Sequence, residues 1–295
     1  MTEKQMRRLA KPMLAGAALI WGSSFFMMKD IVEVLPPLFL LALRFTGGAI
    51  LLAAACWKRW RNFTFDYLWR GAVMGIFLCS AYTIQTFGIQ YTTPSNNAFL
   101  TATYCVIVPF LYWVVMGRRP DRYHLLAAFL CVGGVALVST AGEFILGLGD
   151  SLTLIGAFFY ASHIIAVEKV SEDEKDIYLL TVLQFGMAAV ICWLGSFVAG
   201  GFPPLTVFTP SVLIQLAYLT VICTTVALLF QNVGQIWSDP ATAAILLSLE
   251  AVFGAVFSVL FYHDPVTPRL ILGFCLIFAA VLCVETKLSF LRRKE

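Results

Sequence analysis

The stretch LFLLALRFTGGAILLAAAC, residues 38–56, carries a single charge, Arg44, within an otherwise apolar run. As an α-helix at 1.5 Å per residue it covers roughly 28 Å, which matches the hydrocarbon core of a bilayer. Further apolar runs occupy residues 13–28, 71–90, 97–116, 124–140, 151–167, 177–199, 211–235, 241–262 and 269–286. We therefore predict an all-α polytopic membrane protein with ten transmembrane helices.

The composition agrees with this interpretation. Of the 295 residues 60% are apolar and 13% are charged, whereas a soluble domain is about half apolar and a quarter charged. No long polar segment is left for a soluble catalytic or receptor domain. The eight cysteines all fall within apolar runs without CxxC or Cys/His spacing, so we interpret them as small buried hydrophobic residues and expect no metal and no cofactor.

The positive charges predict an orientation. If the N-terminus is cytoplasmic, seventeen of the 20 Lys and Arg residues lie on the cytoplasmic side. Only Lys29 and Arg269 lie on the other side, and Arg44 lies inside a helix. This asymmetry predicts a multi-pass protein of the cell (inner or plasma) membrane with both termini in the cytoplasm. We interpret the first run as a retained helix, because no clear small-x-small cleavage site follows the apolar run before Lys29 and Asp30.

An internal repeat divides the chain. A shift of 146 residues superposes identical residues, among them Gly88 on Gly234, Pro94 on Pro240 and Ala98 on Ala244. The repeat predicts two five-helix units, residues 1–140 and 141–295. Because five is odd, the two units must have opposite orientations in the membrane. Inverted repeats of this kind are common in secondary transporters, where they support alternating access.

Four segments carry a family resemblance. They are WGSSFFMMK at 21–29, the single Arg44, YTTPSNNAFL at 91–100 and SDPATAAILLSLEAVFGAVFSVLFYHD at 238–264. Together they resemble the ten-helix EamA-like branch of the drug/metabolite transporter superfamily, over nearly the whole chain. The chain departs from the family where Gly-Glu is common, with Gly117-Arg118 and His263-Asp264, and where Pro is common, with Ala251. The resemblance implies export of amino acids or other metabolites, or carriage of nucleotide sugars or drugs, without ATP.

Two ionisable residues within the apolar runs are the first site candidates. Glu250 lies about ten residues into the ninth run, near the expected midplane, where a charge is costly. It is interpreted either as a site for a coupling proton or a cationic group, or as a buried carboxyl that joins two helices. Arg44 is interpreted as a ligand for a substrate carboxylate, with a helix-locking or snorkelling role as the alternative. A direct pair between Arg44 and Glu250 is also open.

Aromatic and amide side chains at helix depth extend the candidate set, since an aromatic wall with a few polar anchors suits a small amphipathic ligand. The predicted substrate-binding residues are Trp21, Arg44, Tyr82, Gln85, Asn97, Tyr104, Tyr160, His163, Gln231 and Glu250, with Gln184 and Asn232 as further candidates. Each has packing or interhelical hydrogen bonding as its alternative. Tyr104 pairs with Glu250 under the 146-residue shift, so an inverted repeat predicts that the two face one another.

These observations favour a secondary transporter that exports amino acids or related metabolites. A nucleotide-sugar or drug carrier of the same superfamily is the alternative; a nucleotide carrier needs several basic residues for phosphates, and Arg44 is the only one well inside a run. A membrane-embedded enzyme is a remote alternative, because Glu250 and His163 are isolated in sequence. The expected partners are a small-molecule substrate, the lipid bilayer and a coupling proton, with no nucleic acid. We expect a monomer, with a dimer as the alternative.

Overall fold

A computed structural model of the chain describes residues 3–139, 147–171, 175–199, 201–262 and 266–286. These residues form helices and connecting turns, with no β-strand among them. The α-helices are α1 Glu3–Ile31, α2 Pro37–Ala55, α3 Asp66–Gln90, α4 Pro94–Ala102, α5 Tyr104–Met116, α6 Arg122–Ser139, α7 Leu148–Val170, α8 Ile177–Ala199, α9 Pro210–Tyr218, α10 Ala227–Gln235, α11 Pro240–Leu247, α12 Leu249–Tyr262 and α13 Pro268–Thr286. A π-helical segment, Leu219–Val226, joins α9 to α10.

Eight segments within the described part of the chain are long and apolar enough to cross a membrane. They are Glu3–Ile31, Pro37–Ala55, Asp66–Gln90, Pro94–Met116, Leu148–Val170, Ile177–Ala199, Pro210–Gln235 and Pro240–Phe257. The apolar stretches Arg122–Leu137 and Pro268–Cys283 are shorter. The multi-pass helical fold is thus confirmed, while ten membrane crossings stay a prediction. The unit boundary expected at residue 140 and the pair His263-Asp264 lie outside the described residues.

Three of the predicted helices are interrupted. The run at 97–116 is divided into α4 and α5 at Thr103, and the run at 241–262 is divided into α11 and α12 at Ser248. The run at 211–235 contains the π-helical segment. The apolar pattern does not show these interruptions, because it records only that the residues are apolar and not the hydrogen-bond register of the backbone.

Proline and capping residues fix where the divided helices start. Pro94 and Pro240 occupy the first turn of α4 and α11, where a missing N–H has no cost. The Thr93 side chain accepts a hydrogen bond from the Asn96 backbone N–H, and Asp239 accepts from those of Ala241 and Thr242. The two helices that follow therefore begin in the same way at matching positions of the repeat.

Glycine allows the helices next to the centre to touch. A Cβ atom on Gly22 of α1 would lie 2.6 Å from Cβ of Phe253 and 2.8 Å from the carbonyl oxygen of Glu250 on α12. Similarly, a Cβ atom on Gly88 of α3 would lie 3.0 Å from the carbonyl oxygen of Gly149 on α7. A larger residue at either position would push the backbones apart, so these glycines set the distance between the helices around the centre of the bundle.

One end of the bundle is rich in ion pairs. We call it the basic end; there Arg59 contacts Asp176 at 2.7 Å and Lys175 contacts Asp66 at 2.9 Å. These pairs join the segment before α3 and the first residue of α3 to the residues just before α8. At the opposite end, here called the far end, Nζ of Lys29 donates to the carbonyl oxygens of Ile89, Gln90 and Thr92 at 2.9, 3.0 and 3.2 Å. This ties the end of α1 to the turn between α3 and α4.

Candidate functional site: a central cavity

A cavity lies at the centre of the bundle; the space between its lining atoms is about 600 Å³, including the part that is open to solvent. It extends from Glu250 and Gln231 towards Met28 and Ile89 at the far end. The lining residues are Trp21, Ser24, Phe25, Met28, Arg44, Tyr82, Gln85, Thr86, Ile89, Asn97, Thr101, Tyr104, Tyr160, Ile164, Gln231, Leu247 and Glu250. Nine of the ten predicted substrate-binding residues are among them, so the structure brings these nine together.

His163 is the predicted site residue that does not line this cavity. It is fully buried on α7, and its Nε2 lies 2.9 Å from Oε1 of Gln184 on α8. Gln184 and Asn232 also lie outside the lining. The buried polar residues therefore form two groups: one lines the cavity, and the other, with His163, lies outside the lining. The sequence alone does not distinguish the two groups. Whether the nine lining residues bind a substrate stays a prediction.

Arg44 presents a partly unsatisfied guanidinium to the cavity. The residue is 3% exposed, and its Nε donates to Oγ1 of Thr224 at 3.0 Å while Nη1 donates to Sδ of Met28 at 2.9 Å. Its Cζ lies 5.4 Å from the centre of the Tyr82 ring. Because a guanidinium has five N–H donors, three remain without a protein partner among the described residues, and no carboxylate in that part of the chain pairs with Arg44.

The π-helical segment supports this arginine. In the segment Oγ1 of Thr224 donates to the carbonyl oxygen of Leu219, five residues earlier, at 2.8 Å. The same oxygen accepts the bond from Arg44, so it is fixed in its acceptor role. Nε1 of Trp21 donates to the carbonyl oxygen of Cys223 at 2.9 Å. The segment therefore holds both Arg44 and Trp21, in agreement with the frequent occurrence of π-bulges at functional sites.

Glu250 lies at the other side of the cavity. It is 4% exposed and sits just after the interruption at Ser248, in the first turn of α12. Tyr104 lines the same cavity, and its hydroxyl is near enough to interact electrostatically with the Glu250 carboxyl. Oε1 has no hydrogen-bond partner in the described structure. A buried carboxyl oxygen without a partner is costly, which makes it a strong attractor for a ligand donor.

Tyrosine rings separate the two charged groups. Arg44 and Glu250 line the cavity together with Tyr82 and Tyr160, yet no ion pair joins the two charged groups in the described structure. The Tyr82 and Tyr160 ring centres are 5.5 Å apart, and those of Tyr104 and Tyr160 are 6.3 Å apart. The direct Arg44–Glu250 pair that the sequence left open is therefore absent from this conformation.

Amide hydrogen bonds hold the remaining wall in place. The Tyr160 hydroxyl donates to Oε1 of Gln85 at 2.7 Å, and Nε2 of Gln85 donates to Oγ1 of Thr101 at 2.9 Å. Nδ2 of Asn97 donates to Oγ1 of Thr153 at 2.8 Å, while Oδ1 of Asn97 has no described partner. This network fixes Tyr160 against α3 and α4 and leaves one more acceptor buried beside the cavity.

Sequence reasoning missed eight lining residues: Ser24, Phe25, Met28, Thr86, Ile89, Thr101, Ile164 and Leu247. A usable signal was present for most of them. Ser24, Phe25 and Met28 follow Trp21 by three, four and seven residues, and Thr86 and Ile89 follow Tyr82 by four and seven. These spacings put each set on one face of a helix, so a known lining residue predicts its neighbours one and two turns away.

Comparison with known proteins agrees with the helical fold and with the family resemblance. The sequence profile of the EamA-like transporter family matches residues 9–140 and again residues 147–286. An uncharacterized transporter of Archaeoglobus fulgidus is 31% identical over 281 residues, which cover 93% of this chain and 85% of the relative. An uncharacterized transporter of Bacillus subtilis is 24% identical over 286 residues, covering 93% and 91%. One crystal structure superposes with a TM-score of 0.77 at 17% identity, over 96% of this chain and 98% of that chain, which shows a shared fold.

Proposed function

The chain belongs to the EamA-like transporter family, and from that premise we propose that it is a secondary active transporter that exports amino acids or related zwitterionic metabolites by alternating access through the central cavity. The observation that carries this proposal is the presence of two opposite charges in one cavity, each with free hydrogen-bonding capacity. Arg44 has three N–H donors without a protein partner, and Oε1 of Glu250 has no partner in the described structure.

A zwitterion fits this arrangement. Its carboxylate would accept from the free N–H groups of Arg44, and its ammonium group would donate to Glu250. The ammonium group would also lie near the faces of Tyr104 and Tyr160, where cation–π attraction adds to the binding. The aromatic rings would contact the ligand side chain. Both buried charges would then be neutralised by the ligand, which offsets the cost of keeping them out of water.

Two inverted five-helix units, 1–140 and 141–295, would supply the alternating access. The division is supported by the double match to the family profile and by the interruptions at Thr103 and Ser248, which fall within one residue of each other under the 146-residue shift. In this arrangement ten helices cross the cell membrane and both termini are cytoplasmic. The unit that closes one side of the cavity opens the other side when the two units exchange shapes.

Glu250 would also carry a coupling proton. When no ammonium group is bound, a proton can neutralise this buried carboxyl in place of the substrate. Competition between a proton and the substrate at one carboxyl couples the proton gradient to export. The proposal rests on the 4% exposure of Glu250 and on the absence of a cationic partner for it in the described structure.

The test is uptake into proteoliposomes with a panel of radiolabelled amino acids, with and without a pH gradient. We expect saturable uptake that depends on the gradient. Arg44→Gln should raise the half-saturation concentration tenfold or more, because hydrogen bonds to charged groups contribute about 1.5–3 kcal/mol. Glu250→Gln should abolish the response to the pH gradient. Arg119→Gln and Glu33→Gln, exposed residues outside the cavity, serve as matched controls and should behave as the wild type.

Substrate analogues show which group of the substrate binds Arg44 and which binds Glu250. The decarboxylated amine should compete equally well in the wild type and Arg44→Gln, since it makes no use of the arginine. The N-acetylated amino acid should compete equally well in the wild type and Glu250→Gln. If the folded protein takes up no member of the panel, or if both variants transport normally, the zwitterion proposal is wrong.

Transport of a cationic drug is the second candidate, because Glu250 and the ring faces of Trp21, Tyr82, Tyr104 and Tyr160 suit an organic cation. Arg44 disfavours it by placing a positive charge in the same space. A nucleotide sugar is disfavoured further, since Arg44 is the only basic residue among the described lining residues. Uptake of a fluorescent organic cation in the same proteoliposomes separates these candidates from amino acid transport.

A further inference from the structure

A second group of buried polar residues lies beyond the cavity on the side of the basic end. It consists of His163 on α7, Thr181 and Gln184 on α8, and Asn232 and Gln235 on α10, all with exposed fractions of 0%. We call it the buried polar cluster. It adjoins the part of the cavity lined by Ile164 and Gln231, which we call the cavity floor. These two residues are the sequence neighbours of His163 and Asn232.

The hydrogen bonds inside the cluster are incomplete. His163 contacts Gln184 at 2.9 Å, Nδ2 of Asn232 donates to Oγ1 of Thr181 at 3.0 Å, and Nε2 of Gln235 donates to the carbonyl oxygen of Ile164. Four polar atoms have no partner in the described structure: Nδ1 of His163, Nε2 of Gln184, Oδ1 of Asn232 and Oε1 of Gln235. So many unpaired buried atoms in one place are unusual for a core that serves only packing.

The kinds of unpaired atom indicate their natural partner. Oδ1 of Asn232 and Oε1 of Gln235 are acceptors, and Nδ1 of neutral His163 is an acceptor because Nε2 carries the proton that bonds Gln184. Nε2 of Gln184 is a donor. A metal cation would satisfy the acceptors but repel this amide, whereas water both donates and accepts. The cluster is therefore built for water.

On its outer side the cluster adjoins a basin at the surface of the basic end. The basin is lined by Tyr67, Lys175, Asp176, Val233, Ile236 and Trp237, among others. Val233 and Ile236 directly follow Asn232 and Gln235 along the chain. The order from the centre outwards is thus the cavity floor, the buried polar cluster and the basin. The ion pairs Arg59–Asp176 and Lys175–Asp66 lie at the outer limit.

From this order we propose that the buried polar cluster is the closed form of a water-filled passage between α7, α8 and α10, through which the substrate moves between the cavity and the basic end. The proposal rests on the proposed transport function and adds its route. In the present conformation helix packing closes the passage, and its four polar atoms have no partner in the described part of the protein. When the units exchange shapes, water enters from the basin and forms hydrogen bonds with these polar atoms. The polar side chains thereby lower the free-energy cost of opening the passage.

Thiol labelling of the full-length protein tests the passage. Asn232→Cys and Thr181→Cys are treated with a charged methanethiosulfonate reagent, which needs water to reach its target, and labelling is quantified by mass spectrometry of the peptide that contains each position. Fragmentation of each peptide in the mass spectrometer assigns the label to the introduced cysteine or to a native one such as Cys192. The matched control is Ala188→Cys, equally buried on α8 but in an apolar cluster. We expect both positions to react at least tenfold faster than the control.

Hydrogen–deuterium exchange of the wild type gives a second measurement that needs no substitution. We expect the backbone amides at 163–167 and 231–235 to exchange at least tenfold faster than those at 185–192, which pack in the apolar cluster. Equal labelling rates, or equal exchange rates in the two regions, would overturn the passage. Neither readout uses a substrate, so failure of the amino acid panel leaves this result intact and overturns only the zwitterion proposal.

Discussion

At the scale of single residues, Asp239 shows how one side chain serves two structural roles. It caps α11 through the backbone N–H groups of Ala241 and Thr242, and it pairs with Nε2 of His124 on α6 at 2.9 Å. Partial burial raises the pKa of Asp239, but the hydrogen bond and charge of His124 outweigh it and lower the pKa from 3.8 to about 2. The turn between α10 and α11 is thereby tied to α6.

The lowered pKa of Asp239 predicts an acid-sensitive contact. Because the folded pKa lies below the unfolded value, the stabilisation is present above pH 3.8 and is lost as the pH falls towards 2. We expect the wild type to lose more thermal stability between pH 4 and pH 2 than Asp239→Asn, which keeps a capping side chain. Thermal unfolding in detergent measures this. Parallel losses in the two proteins would contradict the prediction.

Single charged residues in apolar runs were the part of the site easiest to find from the sequence. Arg44 and Glu250 stand out because a charge in such a run needs a reason. Ser24, Met28 and Leu247 carry no such mark, since small and apolar residues occur throughout these helices. His163 stands out as strongly as Glu250 but lies in the buried polar cluster. Polar residues in an apolar run can therefore be recognised from the sequence as buried. The sequence does not show whether they line the cavity or belong to the buried polar cluster.

At the scale of the helices, the interruptions decide where the functional groups point. The π-helical segment inserts a wider turn into the run from Pro210 to Gln235, which places Thr224 against Arg44 and the Cys223 carbonyl against Trp21. The interruption at Ser248 similarly places Glu250 in the first turn of α12, opposite Tyr104. A continuous helix in either place would direct these groups elsewhere.

The π-helical segment predicts a contrast between its two threonines. Thr224→Val removes the acceptor of Arg44 Nε and leaves the arginine free to turn, so we expect the half-saturation concentration for the transported amino acid to rise about fivefold to tenfold. Thr224→Ser keeps the hydroxyl, so its half-saturation concentration should equal that of the wild type. Thr225→Val is the control, because Oγ1 of Thr225 also bonds a carbonyl five residues earlier but does not contact Arg44. Equal effects of Thr224→Val and Thr225→Val would show a general packing role instead.

At the scale of the whole molecule, the cavity is closed on the basic side by two layers of different chemistry. The inner layer is the neutral buried polar cluster, and the outer layer consists of the ion pairs Arg59–Asp176 and Lys175–Asp66. At the far end, Lys29 satisfies three carbonyl oxygens without a carboxylate. The two ends are therefore held by different interactions.

The predicted topology can be tested on the intact chain. With ten crossings and both termini in the cytoplasm, a green fluorescent protein fused after residue 295 should fluoresce, because it folds in the cytoplasm. Alkaline phosphatase fused after residue 34 or 203 should be active, since both positions face outwards, and fusion after residue 119 should be inactive. An active phosphatase at residue 119, or a dark fluorescent fusion at the C-terminus, would contradict the ten-crossing arrangement.

The sequence by itself determined the class of this protein: a helical multi-pass membrane protein, with a family identity and with Arg44 and Glu250 as charged groups inside its helices. The helical class and the two charged groups follow from composition and run length, and the family identity follows from the resemblance of particular residues; all of these are local properties of the chain. Only the tertiary structure decided that nine candidates share one cavity, that His163 belongs to a separate cluster, and that Arg44 and Glu250 stay apart. Those facts depend on how helices distant in sequence pack and where their hydrogen-bond register changes, and the apolar pattern of a membrane helix carries no record of either.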